Sequence, residues 1–208
     1  SHLIALRTLD DNLDLDQGYR GNIQHVVIYQ EANTADVSKS EGWENDNWKQ
    51  NPNGTPRTAP VCANVTLIGP KATGTPTSLH QSAARIRRGA WTSIHNSVWV
   101  DHVNGLYIDG DDTYAGWNAG MEFKGNIMAG MTSNYKAAGT HTTSDMDTKW
   151  TASNTNYANT SDVGLPSGYN VITNPDLLPS SGSVLLSGAD WTFTGAGSFD
   201  QVSHRGAF

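Results

Sequence analysis

The sequence predicts an all-β solenoid, a fold in which short strands stack coil upon coil. Three observations lead to this prediction. Short apolar segments recur with turn residues between them, and no segment keeps a helical period over three turns. Gly, Ser, Thr and Asn are abundant, and these residues compete with a helix interior. An Asn also precedes a short apolar segment at nearly constant intervals, and such an internal repeat is the signature of stacked coils.

The predicted strands are short segments that turn residues separate. In chain order they are Leu3–Leu6, Ile23–Tyr29, Cys62–Ile68, Ala84–Ile86, Ser93–Val100, Gly105–Ile108, Met121–Met128 and Ser183–Leu186. Most are rich in the β-branched and aromatic side chains that strands favour. Because one coil cannot bury its own inward side chains, the faces of successive coils must stack.

The repeated phrase begins at Asn64, Asn96 and Asn126, so its intervals are 32 and then 30 residues. An Asn at a fixed turn of each coil predicts an internal ladder, in which each side-chain amide bonds to the next coil. A β-sandwich with coincidental spacing is the alternative. The solenoid is favoured because a second strand-like phrase recurs within the period.

We expect residues 1–208 to form one domain with two long loop excursions. Residues 31–60 and 132–168 are polar and too long for simple turns. The chain carries 13 basic and 20 acidic residues, a net charge of −7, which argues against a nucleic-acid partner. No run of 18 apolar residues is present, so we expect no transmembrane segment.

Several phrases carry a resemblance to a known family. They include the segment from Asp10 to Gln24 with its Gly-Tyr-Arg-Gly turn, the phrase Gly42-Trp-Glu-Asn-Asp-Asn, and the terminal Phe199-Asp-Gln-Val-Ser-His-Arg-Gly-Ala-Phe. The chain resembles the C-terminal half of a bacterial surface and lipoprotein family predicted to form right-handed parallel β-helices. The resemblance implies that fold, an extracellular or outer-membrane surface location, and truncation at both ends. It implies no particular activity.

The acidic segment is a candidate calcium site. Its carboxylates, from Asp10, Asp11, Asp14 and Asp16, are the hard oxygen ligands that Ca²⁺ prefers. Two other interpretations of the acidic segment compete with a metal site. One is an ordinary solvated strand, in which Leu13 and Leu15 face the opposite side. The other is a structural carboxylate cluster that basic groups such as Arg20 offset.

A second candidate site lies in the Trp43–Trp48 phrase. Glu44 and Asp46 could be a general acid and base on a sugar-binding surface, with Trp43 and Trp48 as stacking platforms. The alternative is an acid pair that packs against an arginine, either Arg57 or Arg87, and this alternative is favoured.

Three arginines close to one another, at positions 85, 87 and 88, raise the question of a polysaccharide lyase. Such an enzyme needs a base with a depressed pKa, and a guanidinium resists deprotonation. We therefore expect Arg85, Arg87 and Arg88 to balance neighbouring acids, and no catalytic residue is assigned.

The sequence favours a non-catalytic, exported surface protein, a structural or binding module in adhesion or assembly. We expect upstream coils, a homo-oligomer or a larger surface assembly to cap the solenoid ends, and carbohydrate is a candidate ligand. The alternative is a calcium-dependent carbohydrate-active enzyme, either a polysaccharide lyase or a glycoside hydrolase. Its discriminating feature would be one groove that holds the Asp10–Asp16 segment, Glu44 and an Arg or Lys together.

Overall fold

The structure, a computed structural model, describes residues 2–208 and contains thirteen strands and two α-helices. The strands are β1 (Leu3–Leu6), β2 (Leu13–Leu15), β3 (Asn22–Tyr29), β4 (Trp43–Asp46), β5 (Val61–Ile68), β6 (Ser82–Arg87), β7 (Ser93–His95), β8 (Val98–Val100), β9 (Asn104–Asp109), β10 (Phe123–Lys124), β11 (Ile127–Ala129), β12 (Ser133–Ala138) and β13 (Thr155–Tyr157). The helices are α1 (Asp111–Ala119) and α2 (Thr143–Thr151).

All the strand pairs within the two sheets are parallel, and the chain alternates between these sheets. Sheet A has the order β1-β3-β5-β8-β11-β13, and the short strands β7 and β10 extend it beside β5. Sheet B has the order β12-β9-β6-β4-β2. Each coil therefore contributes first to sheet A and then to sheet B, and the next coil stacks on it. The predicted parallel β-helix is confirmed.

A left-handed bend divides the sheet A strands. His25, Asn64, Asn96 and Gly125 have φ angles between 50° and 70° and occupy equivalent positions in successive coils. Asn and Gly tolerate this conformation better than most residues, which explains the recurring Asn. The bend also splits the predicted strand Ser93–Val100 into β7 and β8.

The internal ladder lies one residue beyond the bend. Asn126 Oδ1 accepts a hydrogen bond from the Ser97 backbone at 2.9 Å, and Asn126 Nδ2 donates to Asn154 Oδ1 at 2.8 Å. The predicted ladder therefore exists through Asn126. Asn64 and Asn96 occupy the bend itself and lie outside this ladder. Asn64 Oδ1 accepts a hydrogen bond from Gln24 of the neighbouring coil at 2.9 Å, and the amides of both Asn64 and Asn96 bond to the C-terminal segment.

That segment, residues 188–208, is here called the strap, and it runs back along the outside of sheet A. Asn96 exchanges two hydrogen bonds with the Asp190 backbone, at 2.7 and 3.0 Å. Asn64 Nδ2 donates to the His204 carbonyl at 3.1 Å. Phe193 stacks on the buried His95 ring with 3.6 Å between centroids. The strap therefore covers polar and aromatic groups of several coils.

Three expectations about local structure need correction. Ser183–Leu186 is not a strand, because Val184–Leu186 forms a 3-10 turn capped by the Ser183 hydroxyl. The polar ranges 31–60 and 132–168 are not loops throughout, since the first contains β4 and the second contains β12, α2 and β13. Both α-helices also escaped prediction, since each is only nine residues long and largely polar.

The core lies between the two sheets, and α2 covers it at the C-terminal end of the coil stack. Trp150 of α2 is fully buried and packs on Trp99 and Phe123, with ring centroids 5.6 and 5.9 Å apart. At the other end, β1 pairs only with β3, and Leu3 and Ile4 are exposed. The described part of the stack is thus covered at one end and open at the other.

Candidate functional site

Sheet B places a row of polar and charged side chains on its outer surface. Asp14, Glu44, Arg85, Tyr107 and Lys136 are register partners on five neighbouring strands. Side chains alternate between the two faces of a strand, so the residues one step along point inward. Leu13, Trp43, Ala84, Leu106 and Tyr135 accordingly occupy the core.

A second outward row lies two residues further along the strands. Asp46, Arg87 and Asp109 are register partners there, and Asp16 follows β2 at the same edge. We call the two rows, with the flanking Asp11, Glu41 and Arg88, the charged face. The charged face contains seven carboxyl groups and four basic groups, so it carries no excess of positive charge.

Ion pairs hold the charged face together. Arg87 contacts both Glu44 and Asp46, and Arg88 also contacts Asp46. Arg85 Nε donates to Asp109 at 2.9 Å, and its Nη1 lies 3.4 Å from Glu44. The expectation that an arginine offsets Glu44 and Asp46 is met by Arg87 and not by Arg57. Arg57 instead donates to backbone carbonyls, including that of Pro52 at 3.1 Å.

Three acids of the charged face have strongly raised pKa values. Burial raises the pKa of Glu44 to about 8, with a further contribution from the nearby Asp11 carboxylate, while Arg87 opposes the shift. Burial likewise raises the pKa of Glu41 and of Asp11 to about 7. Below these raised values the carboxyl groups bind protons, which lowers the repulsion within the cluster. Above them, Glu41 and Glu44 pair as carboxylates with Arg85 and Arg87.

The acidic segment predicted from sequence belongs to this face. Burial, and then the Asp16 and Asp46 charges, raise the pKa of Asp14. Burial, and then the Asp46 charge, raise the pKa of Asp16. The charged face thus places Asp14 and Asp16 near Asp46 and Arg87. The open cleft on this face is lined neither by the acidic segment nor by Glu44, so the groove expected of the calcium-dependent enzyme stays a prediction. Arg20 forms no ion pair with the segment in the described structure.

The carboxyl groups of the acidic segment differ in their surroundings. Within residues 2–208, no group of three or more His, Cys, Asp or Glu side chains converges so as to hold a metal ion. Asp11 Oδ1 already accepts the Glu41 backbone N–H at 2.6 Å, whereas Asp10 is exposed. Calcium at Asp10, Asp11, Asp14 and Asp16 stays a prediction.

The two tryptophans of the predicted sugar site differ in accessibility. Trp43 is fully buried in the core, so it cannot stack on a sugar, and that expectation is corrected. It sits on the inward row of β4, where alternation places it. Trp48, two residues beyond the strand, is 48% exposed and lines a small cleft with Gln17 and Pro56. Trp48 is therefore available as a platform at the edge of the charged face.

An open cleft of about 270 Å³ lies on the charged face beside the arginines. Arg85, Arg87, Arg88, Asp109 and Asp112 line it, together with Pro52 and Gly110. Asp109 pairs with Arg85, and Asp111 Oδ1 accepts the Thr140 N–H at 2.7 Å.

Sequence reasoning missed four members of the face: Glu41, Tyr107, Asp109 and Lys136. Lys136 lies over the Tyr107 ring at 4.5 Å and donates to Gln81 at 3.1 Å. The signal that could have found these residues is strand register. Once β6, β9 and β12 are aligned, Arg85, Tyr107 and Lys136 fall in one column.

The chain belongs to the pectate-lyase-like β-helix domain family, whose model matches residues 1–172. The match spans every strand of both sheets and stops before the strap. No curated protein and no solved structure matches the chain. Among residues 2–208, no helix has the length and apolar character needed to cross a membrane.

Proposed function

We propose that this chain binds a neutral polysaccharide along the charged face, as the binding module of an exported surface protein. The observation that carries the proposal is the outward row formed by Asp14, Glu44, Arg85, Tyr107 and Lys136. With neighbouring strands about 4.8 Å apart, five strands span about 19 Å, enough for several sugar units. Membership of the pectate-lyase-like family supports a carbohydrate ligand.

The charge balance favours a neutral glycan over an acidic one. Every arginine of the face already contacts a carboxyl group, so none offers an unopposed charge to a uronate. Fixed carboxyl and guanidinium groups instead form directed hydrogen bonds with hydroxyl groups. The exposed Trp48 adds an aromatic surface on which the apolar face of a sugar ring can pack.

Glycoside hydrolysis is the second candidate, and the raised pKa of Glu44 favours it. A carboxyl group that is protonated near neutral pH suits a general acid. However, Arg87 contacts both Glu44 and Asp46, so its guanidinium sits beside both candidate catalytic groups. A hydrolase needs room there for a sugar and a water, and binding is therefore the better-supported function.

The location and the partners are part of the same proposal. We place the protein at an extracellular or outer-membrane surface, because polysaccharides of this kind occur outside the cell or in its envelope. We also propose that upstream coils, a second copy or a larger surface assembly cover the open coil end at β1. Support comes from the exposed Leu3 and Ile4 on that edge strand.

Affinity electrophoresis tests the proposed function. The protein is run through gels that contain a neutral polysaccharide (mixed-linkage glucan, xylan or galactomannan) or polygalacturonate with calcium. We expect retardation by at least one neutral polymer, with about fivefold weaker binding for Trp48→Ala, corresponding to about 1 kcal/mol. The matched control Leu178→Ala removes another exposed side chain and should bind as wild type.

Retardation only by polygalacturonate with calcium would replace the proposal with the calcium-dependent alternative. No retardation, or equal retardation of Trp48→Ala, would refute binding at the charged face. Release of reducing sugar by the wild type but not by Glu44→Gln would establish hydrolysis.

A further inference from the structure

A cleft of about 500 Å³ lies away from the charged face, at the start of three consecutive sheet A strands. Val61 begins β5, Ser93 begins β7, and Glu122 immediately precedes β10. The C-terminal end of α1, Lys149 of α2 and Thr194 of the strap complete its walls. We call it the side cleft. It shares no lining residue with the charged face, and its volume falls in the range of about 300–1,000 Å³ that is typical of ligand sites.

One wall of the side cleft is a rigidly held aromatic ring. The Arg57 guanidinium lies 4.6 Å from the centroid of the Trp91 ring. On α1, a side chain at Gly116 would come within 2.2 Å of that ring, so glycine is required there. Trp91 Nε1 has no hydrogen-bond partner among residues 2–208. The ring is therefore fixed, and its N–H is buried against Gly116 of α1.

The polar groups of the side cleft have unused hydrogen-bonding capacity. Lys149 lies over the Trp117 ring at 4.7 Å and makes no ion pair within the described chain. Burial lowers the pKa of Lys149, while the nearby Glu122 charge raises it. Glu122 Oε2 accepts the Thr194 N–H at 2.8 Å, which leaves Oε1 for another donor. Ser93 Oγ accepts the Glu122 N–H at 3.0 Å and can still donate its own proton.

We infer that the side cleft is a second carbohydrate site, which binds one or two units of a neutral hexose oligosaccharide. An amine donor, a carboxylate acceptor and a hydroxyl group together match the alternating donors and acceptors of sugar hydroxyl groups. Ala59, Val61 and Met121 supply apolar contacts for the ring carbons. The carboxylate of an acidic sugar would be repelled by the carboxylate of Glu122, so the side cleft favours a neutral ligand. The inference does not depend on glycan binding at the charged face.

Titration calorimetry of the whole chain with neutral trisaccharides tests this site. The ligands are maltotriose, cellotriose and mannotriose, each raised to about 10 mM, which detects dissociation constants in the millimolar range. We expect at least one to bind, and the double variant Glu122→Gln/Lys149→Met to weaken binding at least about tenfold. The matched control Lys49→Met removes an exposed lysine elsewhere and should leave binding unchanged.

A second arm separates this site from the charged face. Trp48→Ala should leave trisaccharide binding at the side cleft unchanged, even if it abolishes retardation by polysaccharide. If the double variant does not fold, Lys149→Met alone replaces it, because that side chain is only partly buried. The absence of binding by every trisaccharide, unaltered binding in the folded variant, or tighter binding of a glucuronate-containing trisaccharide would overturn the inference.

Discussion

Glu44 of β4 and Arg87 of β6 form an ion pair across neighbouring coils, and their side chains are only 8% and 20% exposed. The same guanidinium contacts Asp46, so one arginine offsets two nearly buried carboxyl groups. In a solenoid whose core is mostly apolar, such an ion pair specifies which two coils are neighbours at the outer surface of sheet B. The charged face is therefore part of the architecture as well as the proposed ligand surface.

Removal of Arg87 should destabilise the fold strongly. The variant Arg87→Met removes the partner that Glu44 and Asp46 share and leaves them only Arg85 and Arg88 respectively, a loss that typically costs about 1–3 kcal/mol. Chemical denaturation of the variant and the wild type measures the difference in the free energy of unfolding. As a matched control, Arg7→Met removes the Arg7–Glu31 pair, in which Arg7 is 51% exposed, and should cost less than about 1 kcal/mol. Equal losses for the two variants would contradict this view of the face.

Stability should fall as the pH rises from 6.5 to 8. The folded-state pKa values of Asp11 and Glu41 are about 7 and that of Glu44 is about 8, whereas the ordinary values are 3.8 for Asp and 4.5 for Glu. Above these ordinary values and below the raised ones, the folded state binds more protons than the unfolded state, so raising the pH favours unfolding. Thermal melts across this range measure the effect.

Below pH 6.5 the histidines act in the opposite direction. Burial lowers the pKa of His95 and of His102 to about 3, so in this range the unfolded state binds the extra protons and stability falls with falling pH. The carboxyl effect is thus isolated between pH 6.5 and 8. Glu44→Gln should flatten the slope between pH 7 and 8, and Asp112→Asn, a change at an exposed acid, should not. A slope that persists in Glu44→Gln would assign the effect to another group.

The internal ladder predicts a large cost for Asn154→Ala. Asn154 Oδ1 accepts both the backbone N–H and the side-chain amide of Asn126, at 2.9 and 2.8 Å. Removal of this acceptor leaves two buried donors unpaired, and we expect a loss of about 2–3 kcal/mol by denaturation. Asn170→Ala, at an exposed turn, is the matched control and should change stability by less than about 0.5 kcal/mol. Similar effects of both variants would show that the ladder contributes little.

The strap should loosen when its contact with the bend is removed. Asn96→Gly removes both hydrogen bonds to Asp190 and still accommodates the φ of 50° at this position, as Gly125 does in the next coil. We expect faster amide hydrogen exchange in residues 188–195, with exchange in β5 and β8 unchanged. Wild-type protection of the strap in this variant would mean that its other contacts, such as the Phe193–His95 stack and the Thr194–Glu122 hydrogen bond, are sufficient to hold it.

The sequence alone predicted the fold class and most of the sheet A strands, because the signals for these features come from residues that are close together in the chain. A segment rich in β-branched residues, such as Val61–Ile68, predicts a strand regardless of which elements pack against it. β4 was harder to recognise, because its outward Glu44 and Asp46 lie in a strand only through contacts with β6, 41 residues further along the chain. The helices α1 and α2 were missed because tertiary packing of a few side chains, Trp117 and Trp150 among them, stabilises them.

The candidate site could be predicted in part. Alternation within Asp10–Asp16 correctly placed Leu13 inward and Asp14 outward. The roles of Trp43 and Trp48 could not be separated, since the inward or outward direction of a side chain depends on where the strand begins. The register that brings Lys136 beside Tyr107 is a long-range property, because loops of very different lengths separate the coils.

Chemical-shift mapping locates the bound polysaccharide on the protein. The ¹⁵N-labelled protein is titrated with a soluble oligosaccharide, six units long, of the polymer that retards it most in the gel. We expect saturable shifts of amides in β4, β6 and β9 and of the Trp48 indole, with any second set of shifts confined to the side cleft. Shifts that leave all three of these strands unperturbed would contradict the proposal that the charged face binds polysaccharide.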